Sequence, residues 1–304
     1  MGVLERVDAG TRCVLTSRHL VGRSELAQLR VDEPNVSGEH ATLTWTGDGW
    51  ELRDLGSRNG TFVGDRRIHA GERVPVHRGA VLRFGPPSCT WRVIDDGPPC
   101  PFAIPADGGP PIIGEAGLLA VPSADALEVS IYQGGFGTWL ADRDGVSEPI
   151  RSGDEVVAAG MRYKLVLPQS SPPTWEAGTT PPVMTRLRLR FVVTRDEEQV
   201  ALAALHPGGT LDLGVRAHHY LLLTLARARL RDRGHCTPGD EGWLYLDQLA
   251  RMLGMDPGHV NIAVFRCRRQ LSEAGVLGAA DIVERRRATR QLRLGVAEIE
   301  IAAP

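Results

Sequence analysis

The sequence predicts a multidomain chain: an N-terminal all-β sandwich, a β-rich middle segment and a C-terminal α+β domain. Three observations carry that reading. Short β-type runs separated by turn residues recur from residue 11 to 95. Stretches rich in Pro and Gly interrupt the chain at 95–111 and 168–183. Apolar spacing then changes from strand-like to helical after residue 215. At 304 residues and 42% hydrophobic, the chain is long enough to bury several separate cores. The expected divisions are 1–99, 100–167, a Pro/Ser/Thr linker at 168–183, and 184–304.

Composition excludes several classes. No apolar run approaches the roughly 18 residues of a membrane span, and "MGVLERVDAG" has no signal-peptide core, so a cytoplasmic protein with no membrane partner is expected. The five cysteines are scattered, without CxxC or Cys/His zinc spacing, and read as reduced thiols rather than metal ligands. Lys164 is the single lysine; the arginine bias fits a GC-rich bacterial genome. Charge is uneven: residues 1–182 carry 17 basic against 23 acidic side chains, while the chain from Val183 carries 18 arginines against 14 acids. The C-terminal part therefore favours anions. There is no P-loop, kinase signature, nucleophile elbow or carboxylate cluster, so no catalytic residue and no cofactor is expected.

In the first segment the strand candidates "HLVGRS", "ATLTWT", "GWELRDL" and "TFVG" are scaffold, and the turns between them hold the chemistry. Gly22-Arg23 ends one strand, Ser37 and His40 form S-x-x-H in the next loop, and Arg58, Asn59, Gly60 and Thr61 make a third turn. A phosphate calls for a planar permanent cation with neutral hydroxyl and amide donors, which Arg23, Ser37 and Asn59 supply. His40 fits a loop-stiffening role, and Asn59-Gly60 a tight turn.

The stretches "VGRSELAQLRVDEPNVSGEHATL" and "LRDLGSRNGTFVG" resemble the forkhead-associated (FHA) family, with its Gly-Arg, Ser-x-x-His and Asn-Gly pattern, over about 85 residues. The resemblance implies an eleven-stranded β-sandwich that binds phosphothreonine peptides from a Ser/Thr kinase pathway. Arg23 and Ser37 would hold the phosphate and Asn59 the peptide backbone, with Arg58 facing the ligand; Gly22, His40, Gly60 and Thr61 would support the loops.

The middle segment repeats part of this pattern. "IRSGDEVVAAGMRYKLVLP" follows the logic of "VHRGAVLRFGPPSCTWRVI", and "ALEVSIYQGGFGTWLADRDG" that of "HATLTWTGDGWELRDLGS", without Ser-x-x-His or Asn-Gly-Thr. Two readings stand: a degenerate FHA-like module, or a β extension packed on the first sandwich. Neither binds phosphopeptide.

The last segment opens with strand candidates "TRLRLRFVVT", "EQVALAAL" and "GTLDL", followed by the helix "RAHHYLLLTLARARLRD". "LYLDQLARMLG" and "DPGHVNIAVFRCRRQLSEAG" then form a helix pair, and "IVERRRATRQLRLG" a basic hairpin. Val260, Val264, Cys267 and Leu271 should face the core and Arg266, Arg268 and Arg269 the solvent. The order is similar to the OmpR-type winged-helix domain. That resemblance implies contacts with double-stranded DNA from His259, Arg266, Arg268, Arg287 and Arg290. Phe265 stands where such domains place polar side chains, which keeps a protein-binding adaptor open beside a phosphorylation-responsive transcription regulator. His218-His219, with no third ligand nearby, reads as a helix-entry pair rather than a metal site.

Overall fold

The computed structural model describes residues 1–134, 137–169, 181–237, 239–286 and 288–303. Most of the expected linker, 168–183, lies outside the described residues. The chain forms two compact units: Met1–Cys100 with Leu167–Thr174, and Pro101–Val166 with Trp175–Pro304. The middle segment therefore shares a unit with the C-terminal domain.

The first unit is an eleven-stranded sandwich. Its strands are β1 (Gly2–Arg6), β2 (Arg12–Val14), β3 (Arg18–Gly22), β4 (Leu29–Arg30), β5 (Ala41–Trp45), β6 (Trp50–Asp54), β7 (Thr61–Val63), β8 (Arg66–Arg67), β9 (Arg73–Val76), β10 (Val81–Phe84) and β11 (Thr90–Asp96). One sheet runs β2-β1-β11-β10-β7-β8 and the other β4-β3-β5-β6-β9. Strand periodicity sorts the residues: in β6, Trp50, Leu52 and Asp54 are buried while Arg53 is exposed. Leu4, Val21, Leu43, Leu52, Phe84 and Trp91 belong to the single core between the sheets.

The middle segment holds β12 (Phe102–Pro105), β13 (Ile112–Ile113), β14 (Leu118–Val121), β15 (Val129–Gln133), β16 (Trp139–Arg143), β17 (Val146–Pro149), β18 (Glu155–Ala158) and β19 (Met161–Val166). Its sheets run β13-β12-β19-β18 and β14-β15-β16-β17. These are the orders of β2-β1-β11-β10 and β3-β5-β6-β9 in the first sandwich, with no counterpart of β4, β7 or β8 among the described residues. Where β6 and β9 are joined by residues 55–72, β16 and β17 are joined by Asp144-Gly145, both at positive φ as a two-residue hairpin turn requires.

The C-terminal domain comprises β20 (Arg188–Val193), β21 (Val200–His206), β22 (Gly209–Val215), α1 (His219–Asp232), β23 (Leu244–Tyr245), α2 (Leu246–Leu253), α3 (Pro257–Glu273), β24 (Val283–Arg286), β25 (Gln291–Leu294) and β26 (Glu298–Ala302). Sheet β22-β21-β20-β26 precedes and flanks the helices, and β23-β25-β24 forms a small hairpin sheet. Gly254, at φ 63°, ends α2, and Asp256 caps α3 by accepting the His259 N–H, with Pro257 following. Val260, Val264, Cys267 and Leu271 of α3 lie in one core with Leu189, Phe191, Leu222 and Leu292.

One flank of α3 is not solvated, although Arg266 and Arg269, opposite the core stripe, keep side chains 53% and 39% exposed. Phe265 is 4% and Arg268 1% exposed. Phe265 packs with Leu118, Ala120, Leu127 and Tyr132 of the middle segment, with Ile262 against the same cluster. The expectation that Arg268 projects into solvent is therefore corrected. An arginine stem is apolar enough to bury when its charge is met: here the guanidinium lies over the Tyr132 ring at 3.9 Å.

Candidate functional site

Three loops of the first sandwich are tied together at one end. Arg23 N–H donates to Ser37 O and Ser24 N–H to Gly38 O, both at 3.0 Å, so the turn after β3 lies on the loop before β5. That approach requires glycine at 22, because a Cβ there would stand 2.0 Å from Gly38 O. His40 then joins this loop to the next. Its Nδ1 accepts the Ser37 N–H at 3.1 Å, which leaves the proton on Nε2 to donate to Gly60 O at 3.1 Å. His40 is fully buried, and burial holds its pKa below the usual range, against opposing effects of Gly60 O and Asp54. It is a neutral strut between loops.

The β6–β7 turn is organised by Asp54, a residue that sequence reading passed over. Its carboxylate accepts from Gly56 N (2.8 Å), Ser57 N (3.1 Å), Ser57 Oγ (2.6 Å) and Thr61 Oγ1 (2.6 Å). Burial alone would raise its pKa; the Ser57 and Thr61 hydroxyls, with the Ser57 and Gly56 N–H groups, lower it on balance. The available signal was the spacing Asp54, Ser57, Thr61, acid and hydroxyls around an Asn-Gly turn. Gly60, at φ 83°, makes the turn, and Thr61 is fully buried.

On this frame the polar tips are presented outward. Ser37 Oγ accepts Arg58 N–H at 3.1 Å and keeps its own proton to donate. Asn59 Nδ2 donates to Asn35 O at 2.7 Å, pinning one amide hydrogen while the rest of the exposed amide stays accessible. Arg23 and Arg58 are exposed, and their guanidinium groups make no hydrogen bond or ion pair among the described residues. Gly22, Arg23, Ser37, His40, Arg58, Asn59, Gly60 and Thr61 are thus gathered at one end as a rigid rim with cationic and hydroxyl tips. Such a rim suits an anionic group carried on an extended chain.

The residues expected to touch DNA are dispersed by comparison. His259 is exposed and its Nδ1 is paired with Asp256. Arg266 lies 3.3 Å from Asp125. Arg290 is exposed in the hairpin turn, and Arg287 lies outside the described residues. Arg268 donates to Ala280 O (2.9 Å) and Val283 O (3.2 Å), and its Nη1 lies 3.4 Å from Asp142 Oδ2. Arg285, which sequence reading did not single out, approaches the same Asp142 oxygen at 2.7 Å and donates to Asn261 Oδ1 at 2.9 Å. Burial lowers the Arg285 pKa, Asp142 opposes that shift, and Arg268 adds to it. His218 and His219 both meet Gln270 Oε1 at 2.8 Å, and no group of three metal-ligating side chains occurs among the described residues. No described helix is long and apolar enough to cross a membrane.

Residues 19–85 match the FHA domain family model, and this stretch is an FHA domain. The chain is similar to the FHA domain-containing protein FhaB of Mycolicibacterium smegmatis, 36% identical over 84 residues, covering 27% of this chain and 53% of that protein. It also matches human kanadaptin, 38% identical over 88 residues, covering 25% of this chain and 12% of kanadaptin. The chain thus spans about half the length of the FhaB relatives it matches. Among solved structures, Mycobacterium tuberculosis EmbR in complex with a low-affinity phosphopeptide is 25% identical, covering 32% of this chain and 25% of its own, with a TM-score of 0.29.

Proposed function

We propose that this is a phosphothreonine-dependent signalling protein, whose FHA domain binds a threonine-phosphorylated protein through Arg23, Ser37, Arg58 and Asn59. The observation that carries the reading is the exposed, unpaired Arg23 guanidinium on a loop fixed through Ser37 and His40 to the Asn59 turn. A preformed cationic rim binds a doubly charged phosphate without first breaking an internal ion pair. Calorimetric titration with a threonine peptide in phosphorylated and unphosphorylated forms tests it. Saturable binding of the phosphorylated form alone is expected; equal binding of both would remove the reading.

We read the C-terminal output domain as a winged helix, supported by its order of strands, α2–turn–α3 pair and β24–β25 hairpin. On the reading favoured here it binds double-stranded DNA with α3 in the major groove, as a transcription regulator controlled through the FHA domain. The arginines along α3 and β24 support it. A second reading is a cytoplasmic adaptor whose C-terminal domain binds protein rather than DNA, through the groove beside Arg266, Arg269 and Glu273. Competition separates them: DNA held by several arginine–phosphate contacts is lost steeply as salt rises and is displaced by unlabelled duplex, and a protein partner is not displaced by duplex.

A further inference from the structure

The face of α3 that the winged-helix plan would send into DNA is flanked by the middle segment, which buries Phe265 and Arg268 and leaves Arg266 and Arg269 half-exposed, each beside a carboxylate. Each arginine on that face meets a carboxylate of residues 101–166. Arg266 lies 3.3 Å from Asp125, Arg268 3.4 Å from Asp142 and Arg269 3.5 Å from Glu115. Arg285 of β24 adds a second cation on Asp142, at 2.7 Å. Ser272 Oγ donates to Ala116 O at 2.6 Å at the end of the same row. A line of acids spaced along a helix that presents arginines is the charge pattern of a phosphate backbone.

The centre of this contact carries an imbalance. Asp142, Arg268 and Arg285 have side chains 4%, 2% and 3% exposed, one carboxylate against two guanidinium groups. Asp142 Oδ1 and Arg285 Nη1 are buried without a hydrogen-bond partner among the described residues. Burying an excess charge is costly. The cost is offset by Phe265 packed on Leu118, Ala120, Leu127 and Tyr132, and by the Tyr132 ring beneath Arg268. A phosphate would supply the acceptor that Arg285 Nη1 lacks beside Asp142.

We propose that the outer face of the β14–β17 sheet is a tethered competitor of double-stranded nucleic acid, with Asp125, Asp142 and Glu115 standing where backbone phosphates would lie on α3. The proposal rests on the DNA-binding reading of the output domain and supplies its regulation: closed, the chain withholds α3; released, Arg266, Arg268, Arg269 and Arg285 form the binding face. A major groove about 12 Å wide admits a helix but not a helix with a sheet packed along its flank.

The test uses the full chain in two opened forms. Ala120→Arg places bulk and a third cation against Phe265 and the arginine pair. Glu115→Lys with Asp125→Lys reverses the two exposed rim partners and leaves the buried cluster alone. Amide exchange of residues 257–273 reports opening, with exchange in α1 and β20–β22 as the control for folding. Fluorescence anisotropy on a mixed-sequence DNA duplex at low salt reports binding. Opening should raise duplex affinity by about tenfold or more, and adding Arg268→Ala to an opened form should reduce the salt slope by about one.

If the closed wild-type chain binds the duplex as tightly as the opened forms, masking is wrong and DNA binding stands. If opened, folded chains bind no duplex, the DNA reading is wrong and the proposal goes with it. If neither form raises exchange in α3, the contact is a permanent core and the proposal is overturned. Should Ala120→Arg fail the folding control, the rim variant decides.

Discussion

The chain contains two β-sandwich arrangements with one strand order and opposite uses. In the FHA domain, β3-β5-β6-β9 carries long excursions, residues 23–40 and 55–72, which hold every clamp residue. The outward face of that sheet carries an open groove lined by Arg18, Thr42, Thr44, Glu51, Arg53 and Arg73 together with Trp45. In the middle segment, β14-β15-β16-β17 keeps the order, shortens both excursions, and turns its outward face into a buried surface. Leu118, Ala120 and Tyr132 lie on that face, and β14 is buried on both sides. The difference teaches that loops decide whether such a scaffold reads a ligand, and that the composition of one sheet face decides whether it binds a neighbour.

The largest effect that would sharpen this contrast falls on the buried face. Asp142→Ala leaves Arg268 and Arg285 together without their carboxylate, and removing one partner of a buried charge cluster costs about 3–5 kcal/mol. The second unit should lose stability by about that amount in denaturant titration while phosphothreonine binding is untouched. A loss below about 1 kcal/mol would mean the cluster is solvated rather than buried.

Next comes the exposed rim of the other sandwich. Arg23→Ala removes a charged donor that supports no internal contact, so phosphopeptide affinity should fall by about 1.5–3 kcal/mol with the melting temperature unchanged. Calorimetry checks the first and thermal unfolding the second. An unfolded variant would show that Arg23 belongs to the scaffold, erasing the division between frame and tip.

A smaller effect concerns the frame itself. His40 and His19 are both buried, with pKa values pushed below the ordinary one, to about 4 for His19. A group whose folded pKa is depressed contributes stability that is complete above its unfolded value, about 6.5, and is lost as pH falls toward the folded value. Protonated His40 also loses the Nδ1 acceptor that holds Ser37. The FHA domain should therefore melt at falling temperature as pH drops from about 6.5 toward 4. His40→Gln, which does not titrate, should flatten the upper part of that dependence. An unchanged slope would place the acid sensitivity elsewhere.

Sequence made the first sandwich legible because its chemistry is local: Gly-Arg, Ser-x-x-His and Asn-Gly each sit within one turn, and the structure joins the three. Asp54 is less legible: the spacing Asp54, Ser57, Thr61 hints at it, but its role is to receive four donors, which only the folded turn brings together. On α3, arginine is not a marker of solvent: Arg268 is 1% exposed. The spacing of Ile262 and Phe265, three residues apart and opposite Val260 and Val264, was the available sign of a second buried stripe. Nothing in "LADRDG" distinguishes Asp142 from a surface acid; its partners are 126 and 143 residues away. Contacts that distant leave no periodicity to read.

The smallest expected effect is none at all, and it bears most directly on the comparison. If phosphopeptide reading resides in the excursions between strands, everything after the first sandwich is dispensable for it. A chain of residues 1–100 keeps all eleven strands, the core around Leu43 and Trp91, and the three loops with His40 and Asp54 between them. The shortened connections of the middle segment, 122–128 and Asp144-Gly145, offer no Arg-Ser-Asn set. Affinity for a phosphothreonine peptide should therefore be the same for 1–100 and for the full chain when both are titrated side by side. A truncated chain that folds, by the dispersion of its amide resonances, yet binds more weakly would show that residues beyond 100, the first unit's own Leu167–Thr174 or the second unit, contribute to the site. In the latter case the two sandwiches would be partners in recognition rather than one reader and one cover.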